Sequence, residues 1–304
     1  MNARTTTNSP DSRIPLRSIG IFLAITFGLA WSIIGLFVFL PDPMTRLFGP
    51  LSGNHPLFFL AVYAPAIAAV AIVLRHGGVA GVRQFLKRLM ILACSAPWTV
   101  FLLLGLPVIF YAGAALNGNL FTEPLPITSL RGLVIALLLS AIKGPVEELG
   151  WRGFALPLLQ RRLAPVWSAL ILGAVWGFWH LPAFMLSGLQ QSAWSFAPFF
   201  AGTIAISLIA TSLFNASRGS ILIAAVLHFQ LMNPIWPDAQ PYDTYLLLVV
   251  AAVVLFLDRE TMFGGKGALT EIIPGYDGRH ARQTEGADLD RRLPKSSGLV
   301  RGAR

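Results

Sequence analysis

The chain has 304 residues, of which 55% are hydrophobic and 12% charged, a net charge of +9 and a mean hydropathy of +0.67. Soluble domains carry about 25% charged residues, so the composition excludes a water-soluble globule, and its apolar content excludes a mainly disordered chain. Because the basic residues flank apolar segments, the positive charge indicates orientation and attraction to anionic lipids, and we expect no nucleic-acid partner. The composition predicts an integral, multi-pass protein of the cell membrane.

Eight apolar segments approach the roughly 20 residues that a helix needs to cross about 30 Å of hydrocarbon. In chain order they are residues 18–40, 56–74, a span near 97–116, 132–149, 164–186, 194–214, 219–235 and the short 244–257. The predicted fold class is therefore all-α, a polytopic transmembrane helix bundle of about eight spans.

Basic residues alternate between the predicted loops, which is the pattern that keeps Lys and Arg on the cytoplasmic side. Arginines precede the first span, four basic residues separate the second from the third, and further basic residues lie between the fourth and fifth and between the sixth and seventh. Only Arg46 and Arg131 are out of place. Both termini are therefore expected in the cytoplasm.

The chain divides into five predicted regions. They are a polar leader (1–17), N-terminal transmembrane helices (18–128), a core that carries polar clusters (129–235), the last transmembrane helix (236–257) and a tail (258–304). The tail mixes Gly, Pro and both signs of charge without helical periodicity, which predicts a disordered cytoplasmic extension.

Polar and ionisable residues within the spans are functional-site candidates, because they are costly in a bilayer. They form three clusters, which contain Lys143, Glu147, Glu148, Trp151 and Arg152; His180; and His228, Gln230 and Asn233. A buried carboxylate can take a proton from water, an imidazole can share it, and N–H donors can stabilise an oxyanion. Two His and a Glu also suit a catalytic zinc. Peptide hydrolysis fits both the metal-free and the zinc-bound arrangement, because each activates water and stabilises the intermediate.

Each cluster also has a structural interpretation. Lys143–Glu147 and Glu148–Arg152 are i,i+4 pairs that could form an ion-pair network, and either histidine could hydrogen-bond a neighbouring helix. The sequence lacks His-Glu-x-x-His and Gly-x-Ser-Gly, and no Asp lies inside a predicted span. Those three absences disfavour a zinc protease with His-Glu-x-x-His, a serine protease with Gly-x-Ser-Gly and a protease that uses a pair of aspartates.

The motifs resemble those of the CPBP family of intramembrane proteases, which includes CAAX prenyl endopeptidases and bacterial bacteriocin-processing, immunity and lysostaphin-resistance-like proteins. The family's Glu-Glu-x-x-x-Arg is matched by Glu147, Glu148 and Arg152, with Trp151 before the arginine and Gly153 after it. Phe-x-x-x-His reads Trp176-x-x-x-His180, and His-x-x-x-Asn has His228 but places Asn233 one residue late. The resemblance covers residues 129–234.

The resemblance implies that Glu147 and His228 position and deprotonate water, while His180 and Asn233 stabilise the oxyanion. It gives Glu148 and Arg152 supporting roles, to which we add Trp151. If the reaction needs a metal, Zn²⁺ would be held by Glu147, His180 and His228; a metal-free glutamate mechanism is equally open.

Asn233 is the doubtful member of the predicted site. On a regular helix a residue at i+5 lies about 140° from His228. Pro234 can end the helix and bring Asn233 back, and Gln230 is a second candidate for the amide.

The expected function is hydrolysis of a peptide or membrane-protein substrate, prenylated or not, near the cytoplasmic face. One alternative is a non-catalytic regulatory or immunity protein of the same fold. The other is a proton-coupled transporter, in which the buried Glu and His would relay protons.

Overall fold

The structure is a computed structural model that describes residues 14–120 and 129–274. All regular secondary structure in these residues is helical, as the sequence predicts. The eleven helices that we label in them are α1 (Ser18–Phe39), α2 (Pro41–Phe48), α3 (Pro56–Val62), α4 (Ala64–Leu86), α5 (Ala96–Asn117), α6 (Leu130–Lys143), α7 (Pro165–Trp179), α8 (Phe196–Ala216), α9 (Ile221–Leu231), α10 (Tyr242–Leu257) and α11 (Arg259–Gly264). Between α6 and α7, residues 144–160 form short helical turns that we call the bent segment.

Five helical stretches of the described residues are long and apolar enough to cross a membrane. They are Ser18–Phe39, Ala64–Met90, Ala96–Asn117, Pro165–Met185 and Phe196–Ala216, while α9 and α10 are apolar but shorter. Leu, Val and Phe side chains are exposed along the outer faces of these helices, where lipid would cover them. The predicted polytopic helical bundle is confirmed, and the chain is an integral membrane protein.

The fourth predicted span, residues 132–149, does not form one helix. Helix α6 ends at Lys143, where φ is −87° and ψ is −82°, outside the helical range. Pro145 follows two residues later and has no backbone N–H with which to continue the helical hydrogen bonds. Helix α6 has no buried residue, whereas most of the bent segment is buried. The bent segment includes a 3₁₀ turn at Gly144–Glu147 and a π-helical turn at Trp151–Ala155. Glu147, Glu148, Trp151 and Arg152 of the first cluster therefore lie inside the bundle, whereas Lys143 does not.

Two kinds of packing hold the bent segment and α7 in place. Phe22 of α1 stacks on Phe154 at 5.3 Å between ring centroids and meets Trp151 edge-on at 5.5 Å. On the other side of α7, a Cβ added to Gly173 would lie 2.8 Å from Ile204 Cα of α8, so these helices approach closely only because glycine is present. Trp31 of α1 also meets Phe178 of α7 at 5.2 Å between ring centroids, so α7 lies between α1 and α8.

The prediction of a disordered tail is wrong for its first part. After α11 the chain returns to the bundle, where Ile272 is 1% exposed. Gln160 Nε2 donates to the Leu269 carbonyl at 2.7 Å, and Arg161 Nε donates to the Thr270 carbonyl at 2.9 Å. The apolar residues at 269, 272 and 273 supply this burial, and their signal is lost when composition is averaged over the whole tail. The rest of the tail, like residues 1–13 of the leader, lies outside the described residues.

Candidate active site

A cavity of about 860 Å³ lies inside the bundle. Its lining includes the predicted site residues Glu147, His180, His228 and Asn233, together with Trp176. Glu147 comes from the bent segment, Trp176 and His180 from α7 and the residue that follows it, and His228 from α9, so three elements distant in sequence meet at one wall. The clusters that the sequence separates by up to 80 residues thus share a single site.

Glu148 and Arg152 form a buried ionic group behind His228. His228 Nδ1 lies 2.7 Å from Glu148 Oε1, and Arg152 Nη1 donates to the same oxygen at 3.0 Å. Because an ionised carboxylate only accepts, His228 donates from Nδ1, and in the neutral imidazole Nε2 then keeps the free lone pair. Such a bond fixes both the tautomer and the ring orientation of an imidazole. Glu148 is not part of the cavity lining, so its role is to orient His228.

The carboxylate of Glu147 is held by two indole groups. Trp176 Nε1 donates to Glu147 Oε2 at 2.9 Å, and Trp151 Nε1 donates to the same atom at 3.3 Å. Glu147 is 3% exposed, and its second oxygen, Oε1, has no hydrogen-bond partner among the described residues. Since one oxygen is fixed by two donors, the other is the one left for a water or substrate atom.

Trp176 is the centre of the cluster. Its ring lies 5.5 Å from that of His180 and 5.4 Å from that of His228, between centroids. The Arg152 guanidinium lies 4.8 Å above the ring, a distance at which cation–π attraction operates. The sequence interpretation treated Trp176 only as an aromatic variant of a motif. Its indole N–H was the missed signal, because a buried tryptophan needs an acceptor for that group.

His180 is oriented by the backbone of its own helix. Its Nδ1 lies 2.8 Å from the Trp176 carbonyl oxygen, so the imidazole donates from Nδ1 and keeps the lone pair on Nε2. Trp179 and Phe199 pack against the ring at 4.8 and 5.2 Å between centroids. A neutral His180 in this tautomer accepts at Nε2, which differs from the oxyanion donor that the resemblance implies.

Asn233, just beyond the end of α9, bonds to Gln230 in the last turn of that helix. The helix stops at Leu231, so the i+5 offset no longer sets the direction of Asn233, which lines the cavity. Asn233 Nδ2 donates to Gln230 Oε1 at 3.0 Å, and Gln230 Nε2 donates to the Leu102 carbonyl at 2.9 Å. Gln230 is not part of the cavity lining and thus supports Asn233 rather than replacing it.

The residues predicted to hold zinc do not converge on a metal position. No three His, Cys, Asp or Glu side chains within residues 14–120 and 129–274 are grouped so that they could hold a metal ion. At Glu147, Oε2 already accepts from two indole N–H groups, so only Oε1 would be left to bind a metal. The donor set therefore does not fit the expected Glu147, His180 and His228 site, and zinc binding stays a prediction.

Bundle and buried site together define a polytopic helical membrane protein with a Glu–His centre. Residues 129–232 match the family model of the Type II CAAX prenyl endopeptidase Rce1-like proteins. The CAAX prenyl protease 2 of Methanococcus maripaludis is 30% identical over 141 residues, which are 43% of this chain and 52% of that protein. The chain thus aligns with about half the length of this curated relative. These matches confirm the resemblance to the CPBP family that the motifs predict.

Proposed function

We propose that the chain is an intramembrane endopeptidase in which Glu147 activates water for attack on a peptide bond. The observation that carries this proposal is the 2.7 Å bond between Glu148 and His228, beside a Glu147 carboxylate that lines the same cavity. A carboxylate that orients a histidine, next to a second carboxylate with a free oxygen, is an arrangement suited to general base catalysis. A protein that only needed rigidity would gain little from so many buried polar groups.

The proposed reaction uses only groups that line the cavity. Glu147 Oε1 takes a proton from water while the water oxygen attacks the carbonyl carbon, which gives a tetrahedral oxyanion. His228 Nε2 accepts a hydrogen bond from the same water and so holds it in line. The proton then passes to the amide nitrogen, the C–N bond breaks, and the products are a new carboxyl group and a new amine.

Asn233 supports the proposed oxyanion site. Its amide has two N–H groups, and only one of them is needed for the bond to Gln230. The second N–H can point at the developing charge, where one such donor contributes about 2.7–4 kcal/mol in comparable enzymes. A neutral His180 does not donate from Nε2, so in this proposal it accepts a hydrogen bond from the substrate backbone or from water.

The first test compares cleavage by the purified full chain with cleavage by Glu147→Gln and His228→Ala. Prenylated and unprenylated C-terminal peptides are suitable probes, because the archaeal relative is named as a CAAX prenyl protease. We expect a loss of kcat of at least about 10²-fold in each variant, the range of general base catalysis. The exposed Glu271→Gln is the matched control and should keep wild-type activity. Wild-type cleavage by Glu147→Gln would overturn the proposal.

The second test addresses the metal. We propose the glutamate-type mechanism because the donor groups do not converge, so a chelator should leave the peptidase rate unchanged. Loss of cleavage in chelator that Zn²⁺ restores would instead assign the chain to the metallopeptidases and refute this part of the proposal. A thermal unfolding curve in chelator shows whether any loss of rate is merely unfolding.

A further inference from the structure

One end of the bundle gathers the basic residues. Arg161 Nη1 donates to the Ile14 carbonyl at 2.5 Å, and Arg88 donates to the carbonyls of Gly219 and Ile272 at 3.0 and 3.3 Å. The start of α1, the ends of α4 and the bent segment, the start of α9 and the chain after α11 therefore meet here. Other basic side chains at these helix ends are Arg17, Arg83, Lys87, Arg162 and Arg218. We call this the basic end.

The opposite end holds the loops around the cavity. Lys143 Nζ donates to Asn54 Oδ1 at 3.3 Å, Trp194 Nε1 to Asp238 Oδ2 at 3.1 Å, and Asn117 Nδ2 to the Gln240 carbonyl at 3.1 Å. Asn54 precedes α3 and α4, Trp194 precedes α8, and Asp238 and Gln240 precede α10; α4 and α8 finish at the basic end. Helix α8, with 21 residues, connects the two ends over about 30 Å.

The cavity reaches the opposite end and not the basic one. Its lining includes Gly53, Lys143, Gln190, Trp194 and Asp238 from the loops of the opposite end, and none of the basic-end residues named above. His180 follows the last residue of α7, about 22 Å along the helix from Pro165 at the basic end. His228 is three residues from the end of α9, hence about 4.5 Å from it. Both histidines therefore lie towards the opposite end.

Charge distinguishes the two ends. At the opposite end Arg46 and Lys143, together with Arg131, which the sequence pattern assigns to the same side, are equalled in number by Asp42, Asp238 and Asp243, so there is no basic excess among these side chains. Because an excess of Lys and Arg marks the cytoplasmic side of a membrane protein, the basic end belongs in the cytoplasm. The end with the cavity then faces away from it.

We infer that the cavity opens on the extracytoplasmic face of the membrane and receives peptide segments presented from that side. The substrate class would be extended segments of exported or membrane-anchored proteins. The statement that the cavity receives a substrate rests on the proposed function. The direction in which the cavity opens rests on geometry and charge alone. It also replaces the expectation from sequence that cleavage occurs near the cytoplasmic face.

Cysteine labelling tests the direction without any need for activity. Full-length Cys94→Ser carries either Gln190→Cys, at an exposed position of the cavity lining, or Arg162→Cys, at an exposed position of the basic end. A membrane-impermeant maleimide should label the Gln190→Cys variant in intact spheroplasts and the Arg162→Cys variant only in inside-out vesicles. The reverse pattern, or labelling of both variants from both sides, would overturn the inference.

A peptide cleavage assay on the same preparations separates the two proposals. If the chain is a peptidase with this orientation, spheroplasts cleave an added impermeant peptide and inside-out vesicles lose that cleavage. Outside labelling of the Gln190→Cys variant with no cleavage by solubilised protein would refute the proposed function and leave the orientation intact. Cleavage by inside-out vesicles alone would refute the orientation and leave the peptidase intact.

Discussion

A single residue, Trp176, joins the three polar clusters. Its N–H fixes Glu147, its carbonyl fixes His180, and its ring lies against Arg152 and His228. The corresponding residue of the family motif is phenylalanine, which has the ring but no N–H group. Tryptophan at this position therefore adds a hydrogen-bond donor to a site that otherwise needs only packing there.

Trp176→Phe should lower kcat by about tenfold to a hundredfold and leave KM nearly unchanged. The change keeps an aromatic ring but removes a hydrogen bond to a charged group, which is worth about 1.5–3 kcal/mol. Steady-state kinetics of the solubilised full chain would measure the effect. Trp167→Phe on the same helix is the control, because Trp167 is exposed. An equal loss in both variants, or none in Trp176→Phe, would contradict the positioning role.

The residue types of the site were predictable, but their arrangement was not. Charged groups in an apolar chain identify Glu147, Glu148 and Arg152 without any structure, because burial of charge is costly. The tautomers of His180 and His228 depend on acceptors that only the fold supplies. Asn233 shows the same limit: its spacing from His228 suggests the wrong helix face, and the helix ends two residues before it.

At the scale of the elements, the bent segment creates the site by letting α9 approach closely. A Cβ added to Gly144 would lie 2.6 Å from His228 Nε2, and closer still to Met232 Sδ. Gly144 therefore acts as a spacer of minimum size between the bent segment and the His228 imidazole. The break at Gly144 and Pro145 could be read from the sequence, whereas its contact with α9 could not.

Gly144→Ala should reduce kcat/KM by about 10²-fold, because a displacement of roughly 1 Å at a reacting group can cost that much. It should also lower the thermal unfolding temperature, since overpacking costs about 1–3 kcal/mol. Gly28→Ala on α1 is the control, where a new Cβ meets nothing within 4 Å. Adding Met232→Ala should restore stability in part but not activity, because His228 is still displaced. Wild-type kinetics of Gly144→Ala would refute the spacer role.

On the scale of the whole molecule, the chain after α11 closes the basic end. Arg88 is 2% exposed and donates to the carbonyls of Gly153, Gly219 and Ile272, which belong to three separate parts of the chain. Asn215 Oδ1 accepts from the Leu269 backbone N–H at 3.0 Å and adds α8 to the same junction. The segment thus ties helix ends together on the side away from the cavity.

Ile272→Ala should destabilise the protein by about 2–5 kcal/mol, the usual cost of truncating a fully buried isoleucine. Differential scanning calorimetry of the full chain in detergent would show this destabilisation as a lower unfolding temperature. Glu271→Ala, one residue earlier and exposed, should unfold as the wild type does. If the two variants unfold at the same temperature, the segment does not stabilise the bundle.

The junction at Arg88 has a consequence for biosynthesis. Arg88 is made early, yet the last of its three carbonyl partners, at Ile272, is made after the final membrane helix. Chains grow at about 5–20 residues per second and their N-terminal parts fold first. Many seconds therefore pass between the synthesis of Arg88 and that of Ile272, its last hydrogen-bond acceptor. The basic end of the bundle can reach its final packing only after the ribosome has passed Ile272.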